Sequence, residues 1–144
     1  MDTLVLQALA FQHNPWRARM HMGSTGTITS GQIIPWDTID FDPNNNLTTG
    51  IGAKYTCPVD GFYLVITSLQ QSSSLTMYLD IAKNGVAVAD SIYLVTAVAS
   101  TQVLASDVVK CLAGDVLTVL GYPAVTYGNL TNCDYMAISF LKAA

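Results

Sequence analysis

Few residues in this chain have the chemistry to act on anything. There are ten carboxylates, all Asp, two histidines and three cysteines. Asp40-x-Asp42-x-Asn44 copies the first half of a calcium loop, in which alternate oxygen side chains converge on a cation. The second half departs from it: Asn45 stands where Gly is required, and Ile51 where the bidentate Glu belongs. Asp40, Asp42 and Asn44 are therefore weak calcium candidates. A solvated turn is the preferred reading, and no cofactor is expected. His13 and His21 are far apart in the chain and adjoin no nucleophile motif; a surface role is expected for His21. No G-x-S-x-G is present. Gly50-Ile51-Gly52 opens like a dinucleotide fingerprint, but Tyr55 takes the place of the third glycine and no helix follows. With no Glu, acid–base chemistry would rest on Asp alone. The sequence nominates no catalytic residue, and an enzyme is not expected.

Cys57, Cys111 and Cys133 form no C-x-x-C pair, which speaks against a zinc knuckle or a redox motif. Their odd number speaks against a complete disulfide framework. Buried free thiols are the default reading, with the redox state left open. The sequons Asn46-Leu47-Thr48 and Asn129-Leu130-Thr131 carry little weight without a secretory signal, and MDTLVLQALAFQ lacks the basic start of one.

The elements that would position these groups read as strands. Asp favours turns over helix interiors, and Val, Ile, Thr and Tyr are plentiful. Of 144 residues, 51% are hydrophobic and 11% charged, against roughly 25% charged in ordinary domains. The net charge is −4 and no basic cluster exists, which argues against nucleic acid. No apolar run approaches the ~20 residues of a membrane helix. A chain so poor in charge is expected to bury surface against other copies, the alternative being a surface rich in Ser, Thr, Asn and Gln.

Residues 1–15 read as an apolar arm carrying Leu4, Leu6, Leu9 and Phe11, ended by Pro15. Residues 16–144 read as one domain. Residues 16–22 alternate with period two. Residues 23–31 read as a loop or weak strand, residues 32–36 as an edge piece because of Pro35, and residues 37–52 as a polar, turn-rich stretch. Strong strands are expected at 62–69 and 75–82. Asn84-Gly85 is a type I′ hairpin signal returning through 86–89. Further strands are expected at 91–97, 101–111, 116–120 and 134–141. Such a series of short strands without an amphipathic helix means a sandwich or barrel. Phe62, Tyr63, Tyr78, Tyr135 and Phe140 are assigned to core or intersubunit packing. Tyr122 and Tyr127, in a loop with Gly and Pro, are alternative ligand-facing residues.

Several segments, taken in order, resemble the C1q/TNF-like superfamily. Lys54-Tyr55-Thr56-Cys57-Pro58-Val59-Asp60-Gly61-Phe62-Tyr63 is similar to its signature segment. Ile33-Ile34-Pro35-Trp36-Asp37 precedes it, as in the family. Ile81-Ala82-Lys83-Asn84-Gly85, Leu112-Ala113-Gly114-Asp115-Val116-Leu117-Thr118-Val119 and Met136-Ala137-Ile138-Ser139-Phe140-Leu141 follow it. The resemblance covers about 16–142. It implies an all-β, ten-stranded antiparallel jelly-roll sandwich that assembles as a homotrimer. Gly61, Asn84-Gly85 and Gly114-Asp115 are read as scaffold turns. No collagen-like Gly-x-y stretch precedes the domain.

Fold does not give function. The leading expectation is a virion protein: a bacteriophage capsid decoration (cement) or head-fibre trimer that docks on the major capsid or another virion protein through Leu4, Leu6, Leu9 and Phe11. The alternatives are a fibre tip that binds a host-surface glycan or receptor through residues 37–52 or 120–133, and a bacterial surface or spore filament tip. The expected location is the virion surface, or else the extracellular space.

Overall fold

Residues 61–70 show how this sequence becomes a sheet. Tyr63, Val65, Thr67 and Leu69 point one way and are buried, while Phe62, Leu64 and Ile66 point the other way and are half-buried. Both alternating sets are mostly apolar, so a strand here must be covered on both faces. The computed structural model describes residues 16–70, 77–88, 102–122, 125–127 and 134–144. Its strands are β1 (Arg17–His21), β2 (Gly26–Ile28), β3 (Gln32–Ile33), β4 (Thr38–Phe41), β5 (Leu47–Thr48), β6 (Lys54–Thr56), β7 (Gly61–Gln70), β8 (Tyr78–Lys83), β9 (Val86–Ala87), β10 (Gln102–Cys111), β11 (Val116–Tyr122), β12 (Val125–Tyr127) and β13 (Tyr135–Lys142). Several of these are only two or three residues long, so the described residues hold thirteen strand segments where ten strands were expected. The arm at 1–15, the strand expected at 91–97, His13 and Cys133 lie outside the described residues.

Two antiparallel sheets face each other. One has the order β10-β7-β13-β1-β4. The other has the order β5-β6-β11-β8-β9, with β3 paired to β11 off that path. A small third ladder joins β12 to β2. β7 is the spine of the first sheet. It pairs with β10 from Gly61↔Cys111 to Gln70↔Gln102, and with β13 from Tyr135↔Ser68 onward. Between the two sheets lies one apolar core, which includes Met20, Ile34, Trp36, Tyr55, Tyr63, Leu79, Ile81 and Leu117, all fully buried. Each large apolar side chain removed from water in this way contributes ~1.5–3 kcal/mol.

Two expectations are corrected. The stretch 37–52 is not only turns: β4 and β5 run through it. All four β4 residues are exposed, so apolar alternation gave no strand signal, and β4 exists because it adds its backbone to β1 at the sheet edge. Of the loop or weak strand expected at 23–31, the structure has the short strand β2. Gly61 is not a turn glycine. Its backbone is ordinary β, and a Cβ there would press on the Phe140 ring and lie 2.5 Å from the Lys142 carbonyl oxygen. The hairpin reading was sound: Asn84 and Gly85 both take positive φ, 52° and 81°, as type I′ requires.

Two corners of the chain carry it between the sheets and lie side by side. After β6, the chain passes Cys57 and residues 58–60 and enters β7. After β10, it passes residues 112–115 and enters β11. Cys57 N–H donates to the Asp115 carbonyl and Gly114 N–H to the Cys57 carbonyl, both at 2.8 Å. Ala113 N–H donates to Asp60 Oδ1 at 2.7 Å. The second corner is closed by Asp115, whose carboxylate accepts Leu112 N–H and Asn84 Nδ2–H, both at 2.8 Å. Those bonds hold the Asp115 carboxyl below its ordinary range.

Candidate interaction surface

The outer face of the five-stranded sheet follows from the register. Opposed residues of antiparallel strands share a face. Ile66 of β7 therefore stands between Ser106 of β10 and Ala137 of β13, and Leu64 stands between Val108 and Ser139. Leu104, Val108 and Leu141 are 44%, 48% and 45% exposed. With Phe62, Leu64, Ile66, Tyr135 and Ala137 they form an apolar surface across three adjacent strands. Contiguous apolar surface of this kind marks a binding face rather than ordinary solvent-facing protein.

Cations border it. Arg19 lies 4.7 Å over the Tyr135 ring, while Lys142 and Lys110 sit 5.3 and 5.9 Å from the centre of the Phe62 ring. Arg19 Nε is 3.3 Å from Asp40 Oδ2, and His21 Nδ1 is 2.8 Å from Asp40 Oδ1. Partly exposed ion pairs are worth ~0–1 kcal/mol, so their effect here is to hold Arg19 flat against Tyr135 and to tie β4 to β1. Four of the six basic residues, Arg17, Arg19, Lys110 and Lys142, belong to this sheet.

The residues nominated from sequence fall in different places. Phe62 and Tyr135 lie on the outer face. Tyr63 is in the core, its hydroxyl donating to the Val59 carbonyl at 2.7 Å. Phe140 also packs inward, edge-on to Tyr63 and Trp16 at centroid distances of 5.3 and 4.8 Å. Tyr78 lies in the other sheet, stacked on Tyr122 at 4.8 Å with the rings 6° from parallel. The acidic trio does not converge. Asp40 is engaged by Arg19 and His21, whereas Asp42 turns its Oδ2 to Leu47 N–H at 2.7 Å. Asn45 does take the left-handed conformation (φ 56°) that a calcium loop gives to Gly, so the turn is shared with such a loop while the acids point elsewhere. Asn44 lies in the same exposed turn. Among the described residues no three His, Cys, Asp or Glu side chains gather as a metal set. Leu4, Leu6, Leu9 and Phe11 lie outside the described residues.

Leu64, Ile66, Leu104, Val108 and Ala137 were not singled out from sequence. The signal was present in the unbroken apolar run Phe62-Tyr63-Leu64-Val65-Ile66, which leaves β7 no polar face to turn to water.

Neither a family model nor a curated protein matches the chain. Solved structures do. The globular domain of zebrafish complement 1qA protein superposes with a TM-score of 0.67 at 17% identity, covering 89% of this chain and 98% of that one. Eiger TNF from S. frugiperda gives 0.65 at 13%, covering 89% and 93%. Murine APRIL gives 0.66 at 14%, covering 87% and 99%. At such identities the likeness speaks of fold, and the fold is plain: this chain is an all-β jelly roll of the C1q/TNF type.

Proposed function

We propose that this protein is a non-enzymatic structural module that assembles as a homotrimer through the outer face of its five-stranded sheet and decorates a virion. The observation that carries the reading is that apolar face, with Ile66 at its centre and cations at its margin. The occupant of this face is a second copy of the same chain. A chain with 11% charged residues has few charges with which to keep such a face in water. Three identical chains related by rotation close such a contact without leaving an open end.

The virion role adds the arm. Leu4, Leu6, Leu9 and Phe11 sit ahead of the fold and are suited to dock a trimer on a shell of major capsid protein, as a cement or head-fibre protein does. Deleting residues 1–15 is expected to leave a trimer by light scattering while abolishing sedimentation with capsid shells. A truncated trimer that still sediments with shells would refute docking by the arm. Full-length trimers that ignore shells but bind a host-surface glycan or receptor would replace the virion reading with the fibre-tip one.

A further inference from the structure

Cys57 and Cys111 are 54 positions apart in sequence, yet the fold brings them to the same place. Cys57 closes the end of β6 in the six-stranded sheet. Cys111 is the last residue of β10 in the five-stranded sheet. Each marks the point where the chain leaves one sheet for the other, and the corners that follow are hydrogen-bonded together. Cys57 takes the carbonyl of Asp115 and gives its own carbonyl to Gly114, only three and four residues past Cys111. Cys111 stands opposite Gly61, four residues past Cys57. Both side chains are buried in the core at 1% exposure. The two thiols meet there as a pair, and the Cys111 thiol also donates toward the Val109 carbonyl at 3.9 Å.

We propose that Cys57 and Cys111 are a paired redox site that closes to a disulfide, stapling the two sheets at their adjoining corners. With both side chains buried where the two corners are hydrogen-bonded together, a disulfide would join segments that the backbone already holds side by side. The oxidant is a peroxide. The Cys111 thiolate attacks one peroxide oxygen, the O–O bond breaks, and a sulfenic acid forms as hydroxide leaves. The Cys57 sulfur then loses its proton and attacks the Cys111 sulfur, expelling the sulfenic oxygen as water. Two thiols and one hydrogen peroxide give one disulfide and two waters. Either thiol can lose its proton first, and the sequence is the same with the two exchanged. Burial pushes both thiols upward, so the pair rests reduced and reacts slowly at neutral pH. Cys133 lies outside the described residues.

The test uses the full chain with Cys133→Ser, so that the remaining two cysteines report alone. Hydrogen peroxide is applied to the native protein and, in parallel, during refolding from urea. Free thiols are then alkylated under denaturing conditions and the digest is read by mass spectrometry. The expected result is a Cys57–Cys111 cross-linked peptide that reductant separates. The oxidised protein should also show a urea midpoint raised by roughly 1 M, a gain absent in Cys111→Ala. Two alkylated cysteines, or two separately over-oxidised ones, in both treatments would overturn the proposal. So would a cross-link that lowers the midpoint, because the corners would then have been pulled apart.

Discussion

Gly61 carries more of this fold than its size suggests. It opens β7 where β13 ends, and the Lys142 carbonyl and the Phe140 ring occupy the space a side chain would need. Because one neighbour is backbone, a rotamer change cannot relieve the clash. Gly61→Ala should cost about 2–4 kcal/mol, read as a lowered urea midpoint. A loss under about 0.5 kcal/mol, the range of an ordinary surface change, would mean that β13 yields freely. Sequence marked this glycine but gave it the wrong reason. A missing Cβ serves positive φ and close approach equally, and only the partner strand, some eighty residues away, distinguishes the two. Tyr63 makes a second case. Burial raises its phenol to about 12, and the hydrogen bond donated to its oxygen by Val59 N–H pulls only partly against this. The neutral phenol is thus the form the folded state prefers. Its contribution is complete below the ordinary phenol value of ~10 and is lost as pH rises from there toward 12. Near-ultraviolet dichroism should therefore show alkaline unfolding in that window, and a Tyr63→Phe variant should show a shallower fall.

At the scale of elements, the hairpin between β8 and β9 and the corner between β10 and β11 are one lock. Asn84 donates to the Asp115 carboxylate and accepts Val116 N–H, each at 2.8 Å. The Asp115 carboxyl is held below its ordinary range first by Asn84 and then by Leu112 N–H. A depressed carboxyl adds stability above its unfolded pKa and loses it as pH falls through the folded value. Asp115→Asn should therefore flatten the acid side of the stability profile and lower stability at neutral pH. An unchanged acid limb in urea titrations from pH 7 to about pH 3 would show that the lock is idle. Such local devices were legible in the sequence because hairpin and corner chemistry lies within a few residues: Asn-Gly and Gly-Asp both did what their types predict. β4 was not legible. Its residues, Thr38 to Phe41, are exposed throughout, and it becomes a strand only through β1. The calcium-like spacing at Asp40-x-Asp42-x-Asn44 misled for a related reason. Spacing fixes the order of the side chains but not their partners, and Arg19 and His21 on β1 engage Asp40.

The described residues hold two apolar regions, one of them closed between the sheets. The space between the sheets is filled by Trp36, Tyr55, Tyr63 and their neighbours. Among the described residues the outer face of β10, β7 and β13 is partly bare, and it is the face through which the proposed trimer would form. Ile66 tests this better than the more exposed Leu104 or Val108, because it stands on the central strand between Ser106 and Ala137. Charge placed there would be sealed from water in an assembled trimer, at a cost of several kcal/mol per copy, yet would be tolerated in a monomer, where it reaches solvent. Ile66→Arg should thus turn a trimer into a monomer at micromolar concentration, read by light scattering, with an unchanged far-ultraviolet dichroism spectrum. Val86→Arg is the control. It lies on β9 at the edge of the other sheet, 68% exposed, and should remain trimeric. If Ile66→Arg stays trimeric, the chains meet through another face. If the unmodified protein is itself a monomer at that concentration, the apolar face belongs to a different partner, and both the trimer and the virion role built on it fall together.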